Sequence, residues 1–399
     1  MSELTIDGAS VRRRAIVTVV AFGVVSLFGD IVYEGARGVI GPYLLTLGAS
    51  AAVVGFVAGA GEFAGYALRS LTGWLADRTG GYWAMTFLGY GLTVVAVPLL
   101  GWVGRVDLAL GLVVAERLGK AIRSPARDTL LADAAEPLGR GWGFGIHEAL
   151  DQTGAVLGPL LLAAVLAVRE ADYRLAFTVL VVPGVLAMVS LVVARRMIPD
   201  HHDGERPPDG DDGSGDRSGS RRLYLLFVFL TAVGFAPFPL IAFHLSVNGV
   251  FGDAQIPLLF AAAMAVDAGA ALVSGRLYDR RGLRVLAVAP VLSVATLAAF
   301  TTASWAVWLA MAAWGAVMGV QESTLRAAVG DLSASARRAT AYGVFNTAYG
   351  MALLAGGVLL GLLYDWSTPA LVGVVVATQA AAVVVLRRLL RRVDQVPAR

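Results

Sequence analysis

Long apolar runs alternate with short polar segments along all 399 residues of the chain. A helix needs about 20 mainly apolar residues to cross the roughly 30 Å hydrocarbon core of a bilayer. Such runs fall into two groups of six, which we number as spans 1 to 12 in chain order. They are predicted at 15–44, 52–76, 82–103, 108–130, 140–166 and 173–197, and at 222–247, 255–278, 284–303, 305–330, 338–363 and 368–392. The pattern predicts an all-α integral membrane protein with about twelve transmembrane helices.

The segment between the two groups, 198–221, has almost no apolar side chain to bury. Its Asp, Gly, Ser and Pro residues are typical of disordered chain, so we predict a linker. Adjacent His201 and His202 are interpreted as solvated, because a metal site needs ligands that are held in place; we expect no metal and no cofactor. The predicted organisation is a tail at 1–13, a first six-helix unit at 14–197, the linker, a second six-helix unit at 222–393 and a tail at 394–399.

Arginine placement predicts the orientation of the chain. If the spans alternate, one side of the membrane receives most of the arginines, and the other receives little beyond Arg105, Arg169 and Arg174. Short loops rich in Lys and Arg stay in the cytoplasm. Both termini and the linker are therefore predicted to be cytoplasmic.

The composition is typical of a membrane protein rather than a soluble domain. Only 15% of residues are charged and the mean hydropathy is +0.71, whereas about 25% of residues are charged in an average soluble domain. The net charge of +3 would suit a nucleic-acid partner, but the positive-inside rule explains these loop arginines better. The chain has no cysteine, which excludes disulfides and thiolate metal sites. The first apolar run lacks a small-residue cleavage site, so we interpret it as a retained span.

Charged residues inside the predicted spans are the functional candidates. Each costs about 2.5–3.5 kcal/mol at mid-membrane on insertion scales, so such groups must face one another or a water-filled cavity. They cluster in the first half of the chain: Asp30, Glu34 and Arg37 in span 1, Glu62 and Arg69 in span 2, Glu116, Arg117, Lys120 and Arg123 in span 4, and His147, Glu148 and Asp151 in span 5.

Helical spacing places several of these charges on common faces. Glu116, Lys120, Arg123 and Arg127 follow one another at i, i+4, i+7 and i+11, so a basic stripe of span 4 can meet the acids of span 1. Lys120 is the only lysine in the chain. Chance survival of one lysine in an arginine-rich sequence is one interpretation. A functional role is favoured because a desolvated lysine loses its proton more readily than an arginine.

The second half is poor in buried charge. Asp267 in span 8 is isolated, and Glu322 with Arg326 at i+4 fits a local pair. Aromatic and amide side chains take the place of charges here, among them Phe235, Phe238, Asn346 and Tyr349. Aromatic residues of membrane helices often only pack or face lipid, so a substrate pocket is one of two interpretations for them.

A short segment occurs twice, once in each half. Gly73-Trp74-Leu75-Ala76-Asp77-Arg78-Thr79-Gly80 is repeated as Gly275-Arg276-Leu277-Tyr278-Asp279-Arg280-Arg281-Gly282, each time between two apolar runs. It resembles the loop signature of the major facilitator superfamily of transporters. The resemblance implies two six-helix bundles around a central cavity, and a conformational switch formed by Gly73, Asp77, Arg78, Gly80, Gly275, Asp279, Arg280 and Gly282. In that family the first Gly permits close helix packing and the Asp faces a neighbouring helix N-terminus.

Two further stretches resemble signatures of the same family. Arg117, Asp133, Pro137 and Arg140 are similar to its helix 4 signature, whose Arg is associated with proton transfer, although Ala121 stands where Gly is usual. Residues 154–159 are similar to the start of the antiporter signature, with Leu162 and Ala163 in place of its closing glycines. This resemblance implies bacterial proton-coupled efflux and adds Gly154, Gly158 and Pro159 to the switch. Plain small-residue helix packing is the preferred interpretation of Gly154 and Gly158.

These observations predict a secondary active transporter of the bacterial cytoplasmic membrane, functional as a monomer. It would export a small organic solute in exchange for protons by alternating access. The alternatives are a carrier of organic or phosphorylated anions that uses Lys120 and Arg123, an integral membrane enzyme, or a channel. The predicted proton-coupling residues are Asp30, Glu34, Glu148, Asp151 and Arg117. The predicted substrate-binding residues are Lys120, Arg123, Glu116, Glu62, Arg37, Tyr33, Phe235, Phe238, Asn346 and Tyr349.

Overall fold

The computed structural model describes residues 8–138, 140–197, 218–332 and 338–394. Most of the predicted linker and the outer parts of both tails lie outside the described residues. In the first half the spans are Gly8–Thr46; Ala51–Ala67 with Arg69–Thr79; Tyr82–Leu99 with Leu100–Trp102; Val106–Ala135, followed by the short turn Glu136–Leu138; Arg140–Val168; and Tyr173–Val179 with Val181–Met197.

The second half has the same number of spans. They are Ser218–Val233 with Phe238–Val247; Gln255–Arg281; Gly282–Ala287, Val288–Ala295 and Thr296–Phe300; Ser304–Val320, Gln321–Leu325 and Arg326–Asp331; Arg338–Trp366; and Thr368–Asp394. Nine helical runs in the described ranges are long and apolar enough to cross a membrane, and one of them, Gln255–Phe300, contains spans 8 and 9. The predicted all-α membrane fold is confirmed.

Two of the twelve spans differ from an ordinary apolar helix. Val106–Ala135 carries the charged stripe of span 4, which lowers its hydropathy. Span 10 passes from Ser304–Val320 through one π-helical turn, Gln321–Leu325, before it continues. Single π-helical turns inside helices occur frequently at functional sites.

The spans form two bundles, 1–6 and 7–12. Span 1 packs on spans 5 and 6, span 7 packs on span 12, and span 8 packs on span 10. Between the bundles, span 2 contacts span 11, span 5 contacts span 8, and span 1 contacts the second part of span 7. We call the side of the molecule that holds the link 47–50 the distal side, and the side that holds residues 8, 197 and 218 the terminal side.

In the described residues, the main hydrophobic core that joins the two bundles lies on the distal side. One continuous cluster there includes Tyr43 and Val54 of the first bundle and Phe238 and Leu360 of the second. On the terminal side the described residues form separate clusters, one around Phe22 in the first bundle and one around Phe227 in the second. The bundles therefore pack together mainly on the distal side, while Tyr66 of span 2 also packs against the second-bundle cluster.

Span 7 is interrupted where its prolines predict an interruption. Its helix stops at Val233 and resumes at Phe238, and Pro237 between them is extended. Proline has no N–H, so the preceding turn loses hydrogen bonds. The indole Nε1 of Trp314 donates to the freed carbonyl of Ala236 at 3.0 Å, which satisfies a backbone group that lipid could not.

Glycines bring spans 2 and 11 into backbone contact on the distal side. A Cβ on Gly55 would clash with the carbonyl oxygen of Gly357, and a Cβ on Gly361 would lie 2.6 Å from that of Ala51. Small residues permit this close approach between membrane helices. Span 2 also carries Gly65, around which no other atom lies within 4 Å of the Cβ position.

The Gly55 contact gives a first prediction. Gly55→Ala should destabilise the packed distal arrangement by about 1–3 kcal/mol, the usual cost of overpacking. Gly65→Ala, on the same helix, is the matched control and should have no such cost. The measurement is the melting temperature of the purified variants in detergent. Equal melting temperatures for the two variants would contradict this packing argument.

Candidate transport site

A central cavity lies between the bundles and receives side chains from both. The first bundle contributes charged residues, and the second contributes an aromatic and apolar wall. Five of the predicted substrate-binding and coupling residues line it: Arg37, Glu62, Arg117, Phe235 and Tyr349. Other lining residues include Tyr66, Val57, Val113, Pro237, Pro239, Trp314 and Met318.

Three charged residues of the cavity lining form a connected network with two buried acids behind them. We call these five residues the cavity cluster: Arg37, Glu62 and Arg117, with Glu34 and Glu116. Glu62 Oε1 lies 3.6 Å from Arg37 Nη2 and 3.4 Å from Arg117 Nη2, so one carboxylate oxygen faces two guanidinium groups. Arg37 also pairs with Glu34 at 3.5 Å, and Arg117 with Glu116 at 3.5 Å. These distances exceed the 2.7–2.9 Å of tight charge-assisted hydrogen bonds. The pairs can therefore change partners at small cost.

Arg37 also contacts the opposite bundle. Its guanidinium carbon lies 5.7 Å from the ring centre of Phe260 and 5.9 Å from that of Trp314. Phe238 is fully buried behind this wall, 4.4 Å from Phe260 between ring centres. Phe235, in contrast, stacks on Trp314 and faces the cavity. Cation–π contacts of this kind stabilise a cation that has lost its water.

A second network lies next to the first, and we call it the span 4 cluster: Asp30, Lys120, Arg123, Arg127 and Asp151. Arg123 is only 1% exposed. Its Nη1 donates to Thr93 Oγ1 at 2.7 Å, and its Nη2 lies 3.9 Å from Asp30 Oδ1. The ring of Tyr90 covers it at 4.5 Å. Arg123 is a buried charge with partners on spans 1 and 3.

Arg127 connects this cluster to span 5. Its Nη1 donates to Ser26 Oγ at 2.9 Å and lies 4.0 Å from Asp151 Oδ1. The Ser26 hydroxyl also contacts the Nε2 of buried His147 at 2.8 Å. Ser26, Tyr90 and Thr93 are site residues that the predicted set lacks. Only Ser26 had a sequence signal, since it precedes Asp30 by four residues on the same face of span 1.

Lys120 is the member of the span 4 cluster that lies next to the cavity cluster. Its Nζ is 3.7 Å from the ring centre of Tyr33, which Arg117 also covers at 4.4 Å. Asp30 and Glu34 are within electrostatic range of it, but in the described part of the chain Lys120 has no carboxylate within 4.0 Å. Tyr33 itself is buried. This lysine therefore balances acids of both networks without a fixed partner.

Three further predicted site residues lie outside the two clusters, and of these only Tyr349 lines the cavity in the described part of the chain. Glu148 on span 5 is exposed and accepts a hydrogen bond from Gln152 Nε2 at 3.2 Å. Tyr349 donates to Gln321 Oε1 at 2.6 Å. The ring of Tyr349 also meets that of Tyr66 edge to face, 5.0 Å away across the bundle interface. Asn346 is half-buried one turn before Tyr349 on span 11.

The repeated loop segments adopt the backbone that their glycines permit. Gly80 and Gly282 both have positive φ, +63° and +57°, a region that favours glycine. Asp77 accepts a hydrogen bond from the Tyr82 hydroxyl at 3.0 Å, and Arg78 stacks over Trp74. In the second copy Asp279 and Arg280 are exposed. The two first glycines differ: a Cβ on Gly73 would lie 3.4 Å from Pro125, whereas Gly275 has nothing within 4 Å.

The glycines of span 5 lie against span 1. A Cβ on Gly154 would clash with the carbonyl oxygen of Leu27, and one on Gly158 would lie 2.5 Å from that of Ile31. Pro159 lies near Gly38 of span 1. These contacts fix spans 1 and 5 together and so hold Asp30 and Asp151 on facing helices.

Sequence comparisons agree with this architecture. A model of the Major Facilitator Superfamily matches residues 20–289. An uncharacterized protein of Mycobacterium tuberculosis is 48% identical over 380 residues, which cover 92% of this chain and 91% of that protein. An uncharacterized MFS-type transporter of Methanocaldococcus jannaschii is 24% identical over 363 residues, which cover 86% of this chain and 88% of that protein.

Solved structures share the fold at low sequence identity. The nucleoside transporter NupG superposes with a TM-score of 0.70 at 12% identity, over 94% of this chain and 98% of that one. A POT family transporter in complex with a thioalcohol conjugated peptide gives a TM-score of 0.74 at 14% identity, over 94% and 96% of the two chains. The sequence match covers more than half of the chain, and the chain belongs to the Major Facilitator Superfamily of membrane transporters.

Proposed function

We propose that this protein exports a small organic solute across the bacterial cytoplasmic membrane in exchange for protons. Alternating access would proceed by rocking of the two bundles, with the termini in the cytoplasm. In this orientation the cavity of the structure described would open to the cytoplasm, because the main core shared by the bundles lies on the distal side. The arginine-rich loops support this orientation.

The observation that carries the proposal is the position of Glu62 between Arg37 and Arg117. When Glu62 is ionised, its carboxylate attracts both guanidinium groups and holds spans 1, 2 and 4 together. When Glu62 takes up a proton, that attraction is lost, and Arg37 and Arg117 keep only their pairs with Glu34 and Glu116. A proton and a solute that donates a hydrogen bond to this carboxylate can thus compete for Glu62, which is what coupled exchange requires.

The form of the cavity supports an organic solute. Phe235, Trp314 and Tyr349 of the second bundle offer flat apolar surfaces, while the cavity cluster offers polar anchoring. Small-molecule sites typically combine such walls with a few charged groups. The solved neighbours are named as transporters of nucleosides and peptides, which are solutes of this general kind.

An anion carrier built on Lys120 and Arg123 has less support. Arg123 is almost completely buried and already occupied by Thr93 and Asp30. Lys120 is within range of two carboxylates and covers Tyr33. Both residues fit a role as counter-charges better than one as substrate ligands. Membership of a transporter family favours a transporter over an enzyme or a channel.

Flux measurements on purified protein in liposomes test the proposal. A ligand is first selected by thermal stabilisation, and its movement is followed with and without a pH gradient. We expect gradient-driven accumulation by the wild type. Glu62→Gln, which mimics a protonated Glu62, should abolish this accumulation but permit exchange down a solute gradient. Glu170→Gln, at an exposed distal position, is the control. Solute accumulation that does not depend on the pH gradient would contradict proton coupling.

A further inference from the structure

Asp267 is a buried acid that the proposed coupling in the first bundle does not use. It lies in span 8 and is only 2% exposed, and its Oδ1 atom is shielded and has no hydrogen-bond partner. In the described part of the chain no Arg, Lys or His nitrogen lies within 4.0 Å of it. A buried polar group without a partner is unusual and needs an explanation.

Spans 8 and 10 pack closely around this residue. A Cβ on Gly319 would clash with the carbonyl oxygen of Asp267. Two turns further along span 8, Ser274 Oγ and Ser323 Oγ are 2.8 Å apart and connect the same two spans. Asp267 is therefore held in a rigid part of the second bundle, beside the π-helical turn that carries Glu322.

The charged groups within electrostatic range of Asp267 come from three other spans. They are Glu322 on span 10, Glu34 and Arg37 on span 1, and Glu148 on span 5. Three of these four are acids, so the surroundings disfavour a negative charge on Asp267. The one cation, Arg37, already contacts span 8 through Phe260, which precedes Asp267 by seven residues and shares its helix face.

We propose that Asp267 is a proton-binding site in the second bundle, with Arg37 as the counter-charge that displaces the proton. An ionised carboxylate without a partner is very costly inside a membrane protein. In the structure described, the carboxyl group therefore carries its proton. When rocking brings Arg37 to Asp267, the O–H bond breaks, the proton passes to cavity water and the carboxylate pairs with the guanidinium. This inference rests on the proposed function for its role in transport, but the site itself does not.

Infrared difference spectroscopy of the ligand-free protein tests the site directly. A protonated carboxyl group has a C=O stretching band that an ionised one lacks. The wild-type minus Asp267→Asn spectrum at neutral pH should show the loss of one such band. Asp279→Asn, an exposed acid on the same span, should leave the spectrum in this region unchanged. Retention of the full band intensity in Asp267→Asn would overturn the proposal.

A second variant keeps the test decisive if Asp267→Asn folds poorly. Asp267→Glu retains a carboxyl group and should shift the band rather than remove it, and an unshifted band would count against the assignment. Arg37→Gln removes the counter-charge, so the Asp267 band should persist to higher pH than in the wild type. Because these spectra need no solute, a wild type without proton-driven flux would refute the proposed function and leave the proton site standing.

Discussion

Arg123→Ala is expected to be the most destabilising substitution of a charged residue in this protein. The side chain is 1% exposed. It donates a hydrogen bond to Thr93, pairs with Asp30 and lies over the ring of Tyr90. Removing one member of a buried ion pair leaves an uncompensated charge and costs about 3–5 kcal/mol. After the change, Asp30 retains Lys120 as a nearby cation but also faces Asp151.

A double-mutant cycle separates the lost pair from the lost packing. The free energy of unfolding or the melting temperature is measured for Arg123→Ala, Asp30→Asn and the combination. If the charge left on Asp30 causes the loss, the double variant should be more stable than Arg123→Ala alone. Arg105→Ala is the matched control, since Arg105 and Asp107 form an ion pair that is 71% and 60% exposed. An exposed pair contributes about 0–1 kcal/mol. Equal losses from Arg123→Ala and Arg105→Ala would refute the buried-pair interpretation.

Spans and their number were predictable because they depend on local composition. The first helix extends beyond the predicted 15–44 to Gly8–Thr46, and span 7 starts at Ser218, inside the predicted linker range 198–221. Hydropathy detects only the part of a helix that lies in hydrocarbon, and a helix can continue into water. The predicted limits of the tails, linker and units otherwise stay predictions.

The partners of the buried charges were less predictable, because they depend on how helices rotate against one another. Helical spacing placed Lys120 and Arg123 on one face, and the structure agrees. The spacing could not show that span 3 passes over Arg123, where a Cβ on Gly89 would lie 2.5 Å from the Cβ of Arg123. Arg37 and Arg117, in contrast, line the cavity.

Contacts between residues far apart in sequence could not be predicted from the sequence either. Asp365, at the distal end of span 11, accepts hydrogen bonds from the backbone N–H groups of Ala51 at 3.1 Å and Ala52 at 2.9 Å. These are the first residues of span 2, so a carboxylate of the second bundle caps a helix of the first. A negative charge at a helix N-terminus is stabilising. No spacing rule connects positions 51 and 365.

Loss of this inter-bundle cap should move the protein toward a distally open state. Asp365→Ala removes both accepted hydrogen bonds, and a lost N-cap costs roughly 0.5–2 kcal/mol, equivalent to about a 2- to 30-fold change in the ratio of the two states. Asp365→Asn keeps one acceptor oxygen and should have a smaller effect. By the family resemblance, Asp77 faces a neighbouring helix N-terminus at the opposite end of span 2, so Asp77→Asn should shift the ratio in the other direction.

Spin labels on the two bundles report this ratio, and the absence of native cysteine allows them to be placed without background. Gly104→Cys and Thr302→Cys lie in exposed distal loops of the first and second bundles. The long-distance fraction between these labels should rise in Asp365→Ala. Asp172→Ala is the matched control, because Asp172 caps Leu175 within the first bundle at 2.9 Å. It should lower the melting temperature without changing the distances. If Asp172→Ala and Asp365→Ala change the distance distribution alike, the cap contributes to helix stability only. A selective effect of Asp365→Ala would assign the distal closure to this one carboxylate. Asp365 can accept these two hydrogen bonds only while spans 2 and 11 are in contact.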